Sequence, residues 1–464
     1  MTTTADTTAE NADGANAADT EIVPAGVAAG WGLGTLATAT MINAPTAALL
    51  YFLVTLVKLD PLVVGSLIFV GKVIDVLTDP PIGALSDRTR SPLGRRRPWL
   101  LGSSFACGIS FALLFNVPEL SATGTYLFIS FALAVFAISY TGFQVPYMAM
   151  PAEMTTDFHQ RTKIMSWRVL FMSIGNVAGG GAFAAVAKNL GGERGDYGEA
   201  AIYFGAFITL VMLATFFLTS RVRQTKRPHD ADEVPLRQHI DWLLINKPLM
   251  ILIGTKIAIY LGVFASLTTA LFFFKSVLKL DENTFFMVFI VQTIVSILML
   301  PVCNWLSRRI GKKPAYMISL GGFSLVATSW LLAGPGESLE LLVLRAVLLG
   351  AFGAGAHLYG QSMLIDTFAL DYQQTGRRRE GVLSASFSFV EKACMALAPF
   401  IVGVLLSTLG FDKELDPTAD QSASAVFAIQ LGFIGIPVFC QLACIFLLQF
   451  YTLNESDLVE ASKK

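Results

Sequence analysis

The chain has 464 residues, 54% of them hydrophobic and 14% charged, with a formal net charge of -1. Soluble domains run at roughly 45–50% apolar and about 25% charged, so this composition, with a mean hydropathy of +0.61, excludes a water-soluble globular protein. The predicted partner is the lipid bilayer and not nucleic acid; the charges are unevenly spread, so their placement matters more than their sum.

In chain order, residues 1–24 are rich in Ala, Thr and Asp, without Lys, Arg or an apolar stretch of signal-peptide length. They read as a disordered cytoplasmic tail. From Trp31 to Tyr451 there follow apolar runs of about 20 residues, the length that crosses a bilayer. They predict an all-α membrane protein with spans at 30–57, 62–85, 99–117, 124–147, 164–187, 199–220, 248–274, 284–307, 314–333, 338–365, 382–408 and 424–451. Basic residues test this reading, because they collect in the cytoplasmic connections. Arg88, Arg90 and Arg95 to Arg97 follow the second span; Arg161, Lys163 and Arg168 the fourth; six more the sixth, from Arg221 to Lys247; Arg308, Arg309, Lys312 and Lys313 the eighth; Arg377 to Arg379 the tenth. The opposite connections hold only Lys58, Lys188, Arg194, Lys275, Lys279 and Lys413. The expected location is thus the inner (plasma) membrane, multi-pass, with both termini cytoplasmic.

The polar stretch 221–247 reads as a linker between a six-helix bundle at 25–220 and another at 248–452, with 453–464 a second cytoplasmic tail. The halves echo each other. Leu85-Ser86-Asp87-Arg88 leading to Gly94-Arg95-Arg96-Arg97-Pro98 has its counterpart in Leu306-Ser307-Arg308-Arg309 leading to Gly311-Lys312-Lys313-Pro314. Cys107, Cys303, Cys394, Cys440 and Cys444 lie inside apolar runs without metal-ligand spacing, so they read as small membrane-core residues. No cofactor is predicted.

Within the second span, Lys72, Asp75 and Asp79 stand at i, i+3 and i+7 on one helical face. A charge at this depth costs several kcal/mol unless it is paired, hydrated or part of a pathway. One reading is a Lys72–Asp75 salt bridge. The other follows from Asp79: two carboxylates one turn apart repel, so one of them binds a small cation or keeps a proton.

The Asp75-xxx-Asp79-Pro80 helix combines with Ser86-Asp87-Arg88-Thr89-Arg90-Ser91 and the arginine cluster, with Tyr140-Thr141 and Pro146-Tyr147, and with Asp366 ahead of Thr375-Gly376-Arg377-Arg378. On these motifs the sequence resembles the glycoside-pentoside-hexuronide:cation symporter family, over nearly all of the chain after the first tail. The resemblance implies a major facilitator fold of two pseudo-symmetric six-helix bundles, and cation-coupled symport of a sugar or glycoside by alternating access, with Na+ or H+ as the coupling ion. By position it assigns the cation to Asp75, Asp79 and Thr141. A family acid falls on Gln144, whose carbonyl is still a hard oxygen ligand. The solute would meet Lys72, Gln144, Arg168 and Lys392, while the family's sugar-binding acid and aromatic platform fall on Thr35 and Met148. Because that part of the sugar pocket is missing, an anionic or amphipathic organic solute is the alternative.

Lys392 lies beside Glu391, but neighbours on a helix point about 100 degrees apart, so one of them can face Asp75 or Asp79; a charge-balancing pair between the halves is the plainer reading. Arg168 can equally snorkel to lipid phosphates. Asp87, Arg88, Arg95, Arg96 and Arg97 form a membrane-surface loop that either latches neighbouring helices or only sets orientation. His357, in a Gly/Ala-rich stretch, reads as packed or hydrogen-bonded in preference to a proton relay, with its small neighbours marking a close helix contact. The glycines at 175 and 179–181 fit no phosphate loop, so neither ATP-driven transport nor an enzyme is expected. A non-transporting membrane sensor is a remote alternative. The expected oligomeric state is a monomer.

Overall fold

The computed structural model describes residues 23–155, 158–220, 247–375, 380–416 and 418–451. Twelve helices long and apolar enough to cross a bilayer occur among them: α1 Ala25–Leu56, α2 Pro61–Arg88, α3 Arg97–Phe115, α4 Ala122–Pro151, α5 Lys163–Leu190, α6 Arg194–Leu218, α7 Pro248–Val277, α8 Glu282–Ile310, α9 Lys312–Leu332, α10 Leu339–Leu364, α11 Phe389–Thr408 and α12 Ala423–Gln449. The predicted tails and linker fall almost wholly outside the described residues. Two boundaries differ notably from expectation. The helix containing α4 continues to Met154 and that containing α10 to Thr375, because backbone hydrogen bonding ends a helix, whereas hydropathy marks only where lipid ends.

Helix starts follow capping chemistry. Asp60 accepts from the amides of Leu62 and Val63 ahead of α2, Ser121 from Gly124 ahead of α4, Asp281 from Thr284 ahead of α8, and Ser422 from Ala425 ahead of α12. Each satisfies amide donors that the first turn of a helix leaves free. These caps all lie at the end of the molecule opposite the chain termini.

In the first six helices, α1 packs on α5 and α6, α3 on α4 and α6, and α2 on α4; in the last six, α7 packs on α11 and α12, α9 on α10 and α12, and α8 on α10. The two sets of partners correspond one to one. Finer detail repeats as well. Both α1 and α7 end in a π-helical turn, Phe52–Leu56 and Phe273–Val277, each followed by a lysine of positive φ, Lys58 at 64° and Lys279 at 58°. Val57-Lys58-Leu59-Asp60 and Leu278-Lys279-Leu280-Asp281 are thus one turn used twice.

The halves meet through α1 and α7, α2 and α11, and α5 and α8. Many of the contacts gather at the far end from the termini. Tyr51 meets Phe272 edge-on at 5.2 Å, Asn283 donates to Asn189 at 3.0 Å, and Phe286 and Phe289 press on Gly181 and Gly180. Gly65 and Gly403 let α2 and α11 touch: a Cβ on either would collide with the carbonyl of Pro399 or Pro61. The side chains facing outward are apolar, as with Leu127, Phe131, Leu298 and Phe439, which fits a surface solvated by lipid.

Candidate functional site

Polar side chains collect midway along α2. Asp75 is 2% exposed, and its Oδ1 accepts a hydrogen bond from Thr141 Oγ1 of α4 at 2.7 Å. Thr78 donates to the Asp75 carbonyl at 3.0 Å and lies 3.4 Å from Thr141 Oγ1. One turn on, Asp79 Oδ2 stands 2.6 Å from the Nζ of Lys392, which crosses from α11 in the other half. The same ammonium is 3.5 Å from Asp75 Oδ2. Lys392 therefore closes a cluster of two carboxylates and a hydroxyl drawn from α2 and α4.

The sequence makes this turn unusual. Pro80 and Pro81 follow Asp79 inside the helix, and neither has an amide to return to the carbonyl four residues earlier. Val76 and Leu77 therefore lose those partners in the turn that separates the two acids. Above the acids, toward the closed end, a cavity of about 30 Å³ is lined by Lys72, Asp75, Tyr140, Thr268 and Met395 among others, enough for about two waters.

Lys72 lies in the interior with its Nζ 6.0 Å from the centroid of Tyr140. It forms no ion pair among the described residues, which removes the Lys72–Asp75 salt bridge read from the sequence. Gln144 stands one turn beyond Thr141, and its Oε1 is enclosed without a hydrogen-bond partner. The Nε of Arg168 is likewise enclosed and unpartnered. Thr35 and Met148 do not join them. Thr35 shares a 2.7 Å hydrogen bond with the Tyr147 hydroxyl, inside an α1–α4 contact where Trp31 stacks on Tyr147 at 4.8 Å. Met148 packs against the main apolar core.

Glu391 and Lys392 separate as their helical geometry predicts. Lys392 turns to the acids of α2, whereas Glu391 accepts from Lys256 Nζ of α7 at 3.1 Å. Sequence reading missed Lys256, although a lysine within an apolar span carries the same signal as Lys72. His357 is exposed within the molecule, edge-on to Tyr260, while Gly355 and Gly360 on the same helix pack close against Ser319 and Tyr316. Asp79, at 32% side-chain exposure, and Glu391, at 44%, likewise border open space. The cleft between the halves thus opens toward the end that carries the termini.

The arginine loop is built as a clasp. Arg96, 6% exposed, bonds Asp87 at 3.1 Å and the Pro146 carbonyl at 3.4 Å. Arg97 donates to the Phe216 carbonyl at the end of α6 at 3.2 Å and lies 4.4 Å from that residue's ring centroid. Gly94 turns at φ 95°, and Trp99 Nε1 donates to Thr89 at 2.8 Å across the loop. Arg88 is exposed and Arg95 half-buried. Arg96 and Arg97 therefore hold the loop to α4 and α6 by direct bonds.

Residues 30–455 match the family model described as MFS/sugar transport protein. A putative glycoside/cation symporter of Escherichia coli (strain K12) is 26% identical across 94% of this chain and 93% of its own. A sodium-dependent lysophosphatidylcholine symporter of Gallus gallus is 23% identical across 89% and 83%. Among solved structures, a bacterial homologue of the human lysosomal transporter Spinster, inward-facing and unoccupied, superposes with a TM-score of 0.65 at 12% identity, covering 94% of this chain and 97% of that one.

Proposed function

Because the chain belongs to the MFS/sugar transport protein family, whose members are transporters and not enzymes, we propose that it is a symporter that couples a cation, Na+ or H+, to uptake of a sugar or glycoside by alternating access. The observation that carries the reading is the reach of Lys392 across the two halves to Asp79 and Asp75. A charged link between the halves that a cation can replace is one means of coupling cation binding to their relative motion. Asp75, Asp79 and Thr141 offer the oxygen ligands that a hard cation takes, and a proton needs only one of the two acids. In either case the cation competes with the Lys392 ammonium for the same carboxylates. Loading releases α11 from α2, and the freed lysine turns to the solute. Gln144 adds a further oxygen one turn from Thr141, and Lys72 and Arg168 supply positive charge beside the path.

On this reading the protein works as a monomer in the inner membrane with both termini in the cytoplasm, so the open cleft faces inward. The basic loops at the terminal end support that orientation. The clasp at Asp87, Arg96 and Arg97 then steadies the cytoplasmic ends of α4 and α6 through the rocking motion.

The test is uptake of a panel of labelled mono- and disaccharides and methyl glycosides into proteoliposomes, under an inward Na+ gradient and separately under an inward proton gradient. Accumulation above equilibrium under one gradient, abolished when that gradient is collapsed, is expected. Uptake that never exceeds equilibrium under either gradient removes the coupling. A second reading, an anionic or amphipathic solute, is favoured by the enclosed, unpartnered Nε of Arg168 and by the relative named for lysophosphatidylcholine. Organic acids and single-chain phospholipids in the same assay separate the two.

A further inference from the structure

A second polar cluster lies outside the cation site, within the last six helices. Lys256 and Tyr260 stand one turn apart on α7, and His357 and Gln361 stand one turn apart on α10. The two pairs line a common cavity of about 20 Å³ with Thr255 and Tyr316. Glu391 of α11 joins them through its 3.1 Å ion pair with Lys256. The Lys256 ammonium is 4.8 Å from the Tyr260 ring centroid, and the His357 ring meets Tyr260 edge-on at 6.4 Å and 87°. Tyr260 and Gln361 line the same cavity from opposite helices.

The Lys256–Glu391 pair ties α7 to α11 and leaves part of its carboxylate open to the cleft. Here Lys256 is 3% exposed and Glu391 44%, while His357 and Gln361 are also exposed. A carboxylate, an imidazole and an amide thus border one opening between membrane-spanning helices, where ionisable groups are costly. An acid and an aromatic face with neutral donors and acceptors around them is the chemistry that recognises a ring bearing several hydroxyls. The carboxylate accepts from two hydroxyls, the ammonium and amide donate to others, and the aromatic face covers the C–H side of the ring.

We infer that Lys256, Tyr260, His357, Gln361 and Glu391 form a second subsite of the solute path, which holds the hydroxyl-bearing ring of a glycoside from the side of the last six helices. The inference rests on the sugar reading proposed above and names where the missing acid and aromatic stand. Thr35 is spent on its bond to Tyr147 and Met148 on core packing, so the first half supplies neither at those positions. Glu391 and Lys392 are consecutive on α11. A solute on Glu391 and a cation on Asp75 and Asp79 therefore act on one turn of one helix, which gives each a means to change the other's affinity.

The experiment uses the purified full chain. Binding of the saccharide and methyl glycoside panel is first measured by thermal stabilisation of wild type, with Na+ and at two pH values. For whichever sugar stabilises it, Glu391→Gln and Tyr260→Ala are expected to weaken binding at least tenfold. In His357→Cys, labelling by a charged methanethiosulfonate reagent should slow severalfold at saturating sugar; the five native cysteines are buried, so background is low. Unchanged affinity in Glu391→Gln together with unprotected labelling at 357 overturns the subsite and leaves the sugar reading standing. Stabilisation by no member of the panel overturns both. If Glu391→Gln does not fold, the labelling of His357→Cys decides alone.

Discussion

Helices α2 and α8 occupy matching places in the two halves, and their interiors differ sharply. α2 carries Lys72, Asp75 and Asp79 across its middle; α8 carries only Gln292, Thr293 and Ser296 over the matching stretch. The polar groups of α8 serve packing: Thr293 bonds the Phe289 carbonyl of its own helix, and Ser296 bonds the Gly350 carbonyl of α10. Those of α2 reach outward to Thr141 and to Lys392 in the opposite half. Duplication has kept the frame in both copies and the charge in one. The second half contributes the opposite sign through Lys392, so the charge paired with the acids of α2 comes from across the interface between the halves.

The sharpest way to break this contrast is to neutralise one acid and compare it with a matched change in α8. Asp79→Asn removes the carboxylate 2.6 Å from Lys392, and gradient-driven accumulation is expected to fall to equilibrium, with cation affinity at least about tenfold weaker, the equivalent of about 1.4 kcal/mol. The pair is partly solvated, which keeps the loss well below the ~3–5 kcal/mol seen when a fully buried pair is broken. Ser296→Ala should leave accumulation near wild type. Equal losses in the two variants would mean that α2 is no more specialised than α8.

A smaller effect sharpens the same contrast within the first half. Thr141→Ala deletes a 2.7 Å hydrogen bond to the Asp75 carboxylate, and bonds to charged groups contribute about 1.5–3 kcal/mol. The cation concentration that half-maximally stabilises the protein should rise by roughly tenfold or more, since each 1.4 kcal/mol is about a factor of ten. Thr141→Ser, which keeps the hydroxyl, should restore most of it. If the alanine variant responds to cation as wild type does, Thr141 only packs α4 against α2.

Most of the frame was legible because lipid imposes simple rules. Apolar run length fixed the twelve spans, and the basic connections fixed which ends lie together. The polar cluster of α2 was half legible: Asp75 and Asp79 stood out as charges in an apolar run, and the 100-degree step between Glu391 and Lys392 left each free to face a different partner. What could not be read was the destination of each charge. Nothing local links Lys392 to Asp79 across more than three hundred positions, or Lys256 to Glu391. Thr35 shows the converse limit, since alignment to a family position says nothing about the Tyr147 hydroxyl that occupies its bond. The repeat at Lys58 and Lys279 was present in the letters, but a positive φ at a lysine is a property of the turn and carries no hydropathy signal.

The loops after α2 and α8 supply the opposite comparison, a feature kept in both copies. Arg97 bonds the Phe216 carbonyl at the end of α6, and Lys313 in the matching position bonds the carbonyls of Gln449 and Tyr451 at the end of α12, at 3.1 and 2.8 Å. Arg96 bonds Asp87 and the Pro146 carbonyl of α4, and Lys312 bonds Asp366 on the long helix of α10 at 2.7 Å. In each half a pair of cations thus ties the loop to the fourth and sixth helices, where a positive charge also meets the negative end of the sixth helix's dipole. If this is a shared structural clasp, Arg97→Ala and Lys313→Ala should each lower thermal stability by a similar small amount, on the order of 1 kcal/mol from the lost charged bond and dipole contact. The double variant should lose about the sum, since the two sites share no partner. Transport driven by the cation gradient should persist in both. A large transport defect in Arg97→Ala at unchanged melting temperature, with Lys313→Ala silent, would instead make the first loop a gate and reduce the second to an inherited copy.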